Sequence, residues 1–132
     1  MHKVFLGGTC AETTWREELI RNIQIPYYNP VVEDWTPECQ EKEEYAKAVA
    51  CNVHLYVITK EMIGVFSIAE AIESACTQMK QTILHVIPDG FSAPQIKSLT
   101  AVVDMVNKHG GMGYVDSDLM RTARILNYCF KI

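Results

Sequence analysis

At 132 residues the chain is long enough to bury a core of its own. Its 48% hydrophobic and 21% charged residues match an ordinary globular composition and exclude a disordered, collagen-like or coiled-coil chain. A net charge of -4, with Lys and Arg never adjacent, excludes the basic footprint of a nucleic-acid or anionic-membrane surface.

The opening segment, Lys3–Leu6, reads as a strand followed by Gly7-Gly8-Thr9. It is too short, and lacks the cleavage site, for a secretory leader. Thr14–Ile23 carries Trp15, Leu19, Ile20 and Ile23 at helical spacing, with Glu17 and Glu18 early, where acids suit the helix dipole. Ile25–Tyr28 contains Pro26 and suits an edge strand. Glu38–Cys51 reads as a helix with Tyr45, Ala48 and Val49 on its apolar side. Val53–Thr59 and Thr82–Ile87 are apolar nearly throughout, as strands covered on both faces are. Between them Ser67–Lys80 holds Ile68, Ala71, Ile72, Ala75 and Met79 in one stripe. Ala93–Lys108 repeats the helical pattern and stops at His109-Gly110-Gly111. A short strand, Gly113–Val115, and a last helix, Asp118–Phe130, complete the order.

Strand and helix alternate without a linker, which predicts one α/β domain over residues 1–132. The expected architecture is a three-layer sandwich around a five-stranded, mainly parallel sheet of the flavodoxin-like or Rossmann-like kind. Such sheets bind ligands outside the carboxyl ends of their strands, at the switch in strand order. The loops after Leu6, Tyr28, Thr59 and Ile87 are therefore the ones that could carry chemistry. Five cysteines without a C-x-x-C, and histidines without ligand spacing, read as reduced thiols in a cytosolic protein. Neither a metal nor an organic cofactor is implied, and no stretch is apolar enough to predict a membrane span.

Gly7, Gly8 and Thr9 either turn the strand tightly or bring backbone N–H groups close to a ligand. No lysine follows them to meet a triphosphate, which disfavours NTP hydrolysis. Asn29-Pro30 fits a turn, and Trp35 beyond it either stacks on a base or sugar or plugs the core. Ser67 followed by Glu70 fits a capping box. The same Glu70, early in a helix at the sheet's carboxyl edge, equally suits a carboxylate nucleophile. A second acid would come from the Glu38–Cys51 helix, where Glu41 and Glu43 read as a solvated face and Glu44 remains.

The order F-L-G-G-T, Trp15, then Tyr28-Asn29-Pro30 with Asp34-Trp35, an acidic helix, V-H-L-Y-V-I-T and S-x-x-E-A resembles the nucleoside 2-deoxyribosyltransferase family, over about residues 3–87. The resemblance implies N-glycosidic bond cleavage or 2-deoxyribosyl transfer through a covalent glycosyl-glutamate. It makes Glu70 the nucleophile, with Ser67 beside it and Glu73 ranked behind it. It gives Glu44, twenty-six residues earlier on the preceding helix, contact with the base as acid. Gly7, Gly8, Thr9, Asn29, Trp35, Phe66 and Ser67 become its substrate-binding candidates. The partner implied is a small nucleoside or nucleotide rather than a nucleic-acid polymer, and a homo-oligomer is expected. The chain departs from the family pattern D-x-G-T-x-x-E-x-G at Gly64, Phe66 and Ile72, and Phe5 stands where a first-strand tyrosine is expected. These departures leave a second expectation, a catalytically impaired nucleotide-binding or sensing module using the same pocket.

Overall fold

The structure is a computed structural model that describes residues 1–10, 12–32 and 34–130. Five strands form one all-parallel sheet: β1 (Val4–Gly8), β2 (Tyr27–Tyr28), β3 (Val53–Ile58), β4 (Gln81–Val86) and β5 (Met112–Val115). Their spatial order is β2-β1-β3-β4-β5, the flavodoxin-like arrangement, with the switch between β1 and β3. β3 sits at the centre, and all of its residues are buried, which explains why its sequence does not alternate.

Two helices cover one face: α1 (Trp15–Ile20) and α5 (Met120–Cys129). Trp15, Leu19, Leu119, Ala123 and Leu126 pack there against Val4, Leu6, Leu55, Val57 and Ile83. The other face is covered by α3 (Phe66–Ala75) and α4 (Ala93–Lys108). There Ala71, Leu99, Val103 and Val106 meet Phe5, Tyr56, Ile58, Leu84 and Val86. α4 opens with a reciprocal capping box, Ser92 Oγ accepting from Gln95 N while Gln95 Oε1 accepts from Ser92 N.

The second helix departs from expectation. α2 (Pro37–Tyr45) buries none of its residues and runs into a π-helical turn, Ala46–Ala50. The wider turn changes which side chains face inward, so Ala46 and Cys51 reach the core while Tyr45 and Val49 stay more than 60% exposed. β1 also extends further than its sequence suggests. Both glycines lie in the strand, Gly7 paired with Tyr56 and Gly8 with Val57.

Each face of the sheet holds one buried histidine in a chain of hydrogen bonds. His54 Nε2 donates to the Lys47 carbonyl at 2.9 Å, which leaves Nδ1 to accept from Ser74 Oγ at 2.9 Å. Ser74 then accepts from Thr82 at 2.7 Å. On the other face His85 Nε2 donates to the Asp116 carbonyl at 2.7 Å and Nδ1 accepts from Thr122 at 2.7 Å. Thr122 accepts from the Tyr114 hydroxyl. Burial pushes both imidazoles below their ordinary pKa, in keeping with neutral rings that bond at both nitrogens. Among the described residues no helix is long and apolar enough to cross a membrane.

Candidate functional site

A cleft of about 320 Å³ opens at the carboxyl ends of β1 and β3, where the strand order switches. Gly8, Thr9 and Cys10 line it from the end of β1, and Glu43 from α2. Met62, Ile63 and Gly64 of the β3–α3 loop, with Phe66, Ser67 and Glu70 of α3, form the remaining wall. Ile63 and Phe66 are 88% and 72% exposed, so the mouth is rimmed by exposed apolar side chains.

The β1 end of the cleft is held by its neighbours in sequence. Arg16 is 5% exposed, and its guanidinium donates to the carbonyls of Leu6 (2.9 Å), Thr9 (2.6 Å) and Gly8 (3.3 Å). Trp15 Nε1 donates to the Thr9 carbonyl as well, at 2.9 Å. The Thr9 hydroxyl accepts from Thr59 N at 2.9 Å, and Thr9 N donates to the Val57 carbonyl at 2.9 Å. These bonds leave the Thr9 amide engaged within the protein rather than turned toward a ligand.

Two carboxylates share the cleft in unequal surroundings. Glu70 Oε2 accepts from Lys47 Nζ at 2.6 Å, and the two side chains are 11% and 23% exposed. Glu43 is half-buried, and burial pushes its carboxyl above the ordinary range, with the charges of Glu70 and Glu44 adding to the shift. Lys47 and Arg16 oppose it. Glu43 is thus not on the solvated face expected of it. An acid whose pKa is raised beside a carboxylate paired to a cation is the division of labour that acid and nucleophile require.

Behind Glu70 lies a second hollow of about 380 Å³. Glu44, Lys47, His54 and Tyr56 line it, with Glu70, Glu73 and Ser74 from α3. Glu44 is exposed and accepts from Gln40 Nε2 at 3.2 Å, so it faces this hollow and not the cleft. Glu73 is one turn further and faces the same way. Tyr56 is 1% exposed, and burial followed by the Glu70 charge pushes its phenol pKa up.

Of the substrate-binding candidates, Gly8, Thr9, Phe66 and Ser67 line the cleft, and Gly7, Asn29 and Trp35 do not. Gly7 is occupied by packing against Tyr56. The Asn29 side chain accepts from Val31 N at 3.1 Å and makes the turn after β2. Trp35 is 59% exposed and plugs no core; Glu33, in the same loop, lies outside the described residues. The capping box expected at Ser67 and Glu70 does not form, because the helix cap falls two residues earlier, at Val65, and Glu70 turns to Lys47. Gly64, on the position where the family pattern has an acid, has open space around it.

The sequence offered Glu43 but placed it on a solvated face, and it did not single out Lys47 or Tyr56. For Lys47 the missing signal was the helical phase, which the π turn alters, whereas Glu43 lies before that turn, in α2, and is told from Glu44 only by its packing. Tyr56 lay hidden in an apolar strand. Among the described residues no group of three or more His, Cys, Asp or Glu is placed to hold a metal ion.

No curated protein and no solved structure matches the chain. Residues 1–90, more than half of the chain, match the family described as nucleoside 2-deoxyribosyltransferase like. That stretch runs from β1 through β4 and contains every residue of the cleft. The chain belongs to the nucleoside 2-deoxyribosyltransferase-like family.

Proposed function

We propose that the chain breaks the N-glycosidic bond of a 2-deoxynucleoside or its nucleotide and passes the sugar to a second base or to water. The observation that carries this reading is the pair of carboxylates in one cleft, Glu70 against Lys47 and Glu43 half-buried with a raised pKa. In the first step a Glu70 oxygen bonds to the anomeric carbon as the carbon–nitrogen bond breaks. The bonding pair leaves with the base nitrogen, and the Glu43 proton neutralises it. In the second step water or an incoming base attacks the same carbon and the glycosyl ester breaks. Glu70 is returned as carboxylate, and Glu43 takes the nucleophile's proton. Glu43 here has the part that the resemblance gives to Glu44. The apolar rim of Ile63 and Phe66 suits the flat face of a base or sugar.

The test is incubation with a panel of 2-deoxynucleosides and their 5′-monophosphates, with and without a second base, and chromatographic detection of the released base. Turnover that disappears in Glu70→Ala supports the reading. No turnover at high protein concentration, or turnover that survives Glu70→Ala, overturns it.

One observation favours a second reading, a binding or sensing module. Phe5, lacking a hydroxyl, stacks on Tyr28 at a centroid distance of 5.9 Å and offers the cleft no polar group. Thermal stabilisation by a nucleotide without turnover supports this alternative.

A further inference from the structure

Lys47 reaches α3 at two successive levels. Its Nζ donates to Glu70 Oε2 at 2.6 Å, and its main-chain carbonyl accepts from His54 Nε2 at 2.9 Å. Through the other ring nitrogen His54 accepts from Ser74 Oγ at 2.9 Å. Ser74 follows Glu70 by four residues, so the two lie one above the other on one face of α3. A single residue of the π turn thus ties down two consecutive turns of the helix, one by its side chain and one by its backbone. The backbone tie lies deep: His54 is 5% exposed and Ser74 4%. Lys47 is therefore fixed at its root before its ammonium meets the carboxylate.

The effect falls on one oxygen. Glu70 Oε2 is taken by Lys47, while Oε1 has no hydrogen-bond partner among the described residues. Glu70 borders both hollows, and Lys47 borders only the one behind it. The ammonium therefore pulls on the carboxylate from the side away from the cleft.

We propose that Lys47 is the positioning residue of the nucleophile, holding Glu70 Oε2 from behind so that Oε1 is presented to the cleft. This rests on the reading of Glu70 as the attacking group. A carboxylate held in one rotamer reacts faster than one that must be ordered at the moment of attack, and a displacement of an ångström costs up to roughly a hundredfold in rate.

The experiment pairs crystal structures with kinetics for wild type, Lys47→Met, Lys47→Gln and Lys47→Arg. In the Met and Gln variants Glu70 leaves its rotamer, kcat for a 2-deoxynucleoside falls roughly 10- to 100-fold, and KM changes by less than about threefold. Lys47→Arg, whose guanidinium also reaches Oε2, restores the rotamer and most of kcat. An unchanged Glu70 rotamer in both Met and Gln variants overturns the proposal, as does a kcat within about twofold of wild type. If the wild-type chain turns over no deoxynucleoside, the nucleophile reading fails. The crystal structures then still decide whether Lys47 sets the carboxylate's orientation.

Discussion

The ring of Tyr56 fills the space that a side chain on Gly7 would need, with a Cβ built there lying 2.6 Å from Cδ1 and Cε1. The two residues are partners in the register of β1 and β3, so neither can step aside without moving the sheet. This glycine exists for packing, and it lets a large aromatic side chain lie beneath α3 beside Glu70. Gly7→Ala should destabilise the fold by about 1–3 kcal/mol through overpacking. Gly8→Ala should cost more, since its Cβ would lie 2.1 Å from the Val57 carbonyl oxygen and its φ is +112°. Urea unfolding measures both. A Gly7→Ala variant as stable as wild type would show that the ring yields.

Arg16 carries a second structural prediction. Its buried guanidinium forms none of the three ion pairs seen among the described residues and instead donates to the backbone carbonyls of Leu6, Gly8 and Thr9 near the end of β1. Arg16→Met keeps the side-chain bulk and removes the guanidinium donors; the Thr9 carbonyl keeps Trp15 Nε1, while the loss at the buried Leu6 and Gly8 carbonyls should cost about 1–3 kcal/mol. Arg16→Lys cannot reproduce the planar fork and should recover only part of the loss. Denaturant midpoints order the three proteins: wild type, then Lys, then Met. Equal midpoints for Lys and wild type would argue that charge alone holds the loop.

The fold was legible because its signals are local and repeated. Apolar runs at β3 and β4 mark strands covered on both faces, and α4 begins and ends where its sequence says. The site was legible to the level of its element and not of its residue. Ser67 and Glu70 have a capping box's spacing, yet α3 starts at Phe66 and the actual box is Ser92 with Gln95. Glu43 and Glu44 are consecutive in an acidic run, and only their packing separates them. The π turn that follows has no signature in the sequence A-K-A-V-A, although it decides where Lys47 points and leaves Tyr45 and Val49 exposed.

That separation makes a sharp comparison. Glu43→Gln keeps the shape of the cleft wall and removes the proton, so kcat should fall by about 10²- to 10⁴-fold. Glu44→Gln, in the other hollow, should stay within about threefold of wild type. The two variants should also differ in stability. Glu43 has a raised pKa in the folded chain, so between its unfolded and folded values the native state binds more protons, and stability falls as pH rises through that window. Gln carries no charge to desolvate, so Glu43→Gln should be more stable than wild type at neutral pH while losing activity. A thermal melt of each variant at pH 7 checks the sign. If Glu44→Gln is the inactive one, the roles return to the residue that the family resemblance points to.

The two buried histidines set the pH dependence on the acid side. Both have pKa values below the ordinary 6.5, chiefly through burial, so the unfolded chain binds protons that the native chain excludes. The stability they contribute is complete above about pH 6.5 and is lost as pH falls from there through the lowered native values. In that window each ring makes ΔG fall by up to about 1.4 kcal/mol per pH unit, before most carboxylates titrate. Protonating His54 would place a second proton on Nδ1, where Ser74 now donates, and would also loosen the anchor of Lys47. Loss of His54 or His85 should therefore flatten the decline in melting temperature between pH 7 and 5, though His54→Gln and His85→Gln will each start lower at pH 7. Only His54→Gln should also lower kcat, since His85 lies on the opposite face of the sheet. A slope unchanged in both variants would mean that other groups take up the protons. Equal effects on kcat would remove His54 from the chain of contacts that holds Glu70.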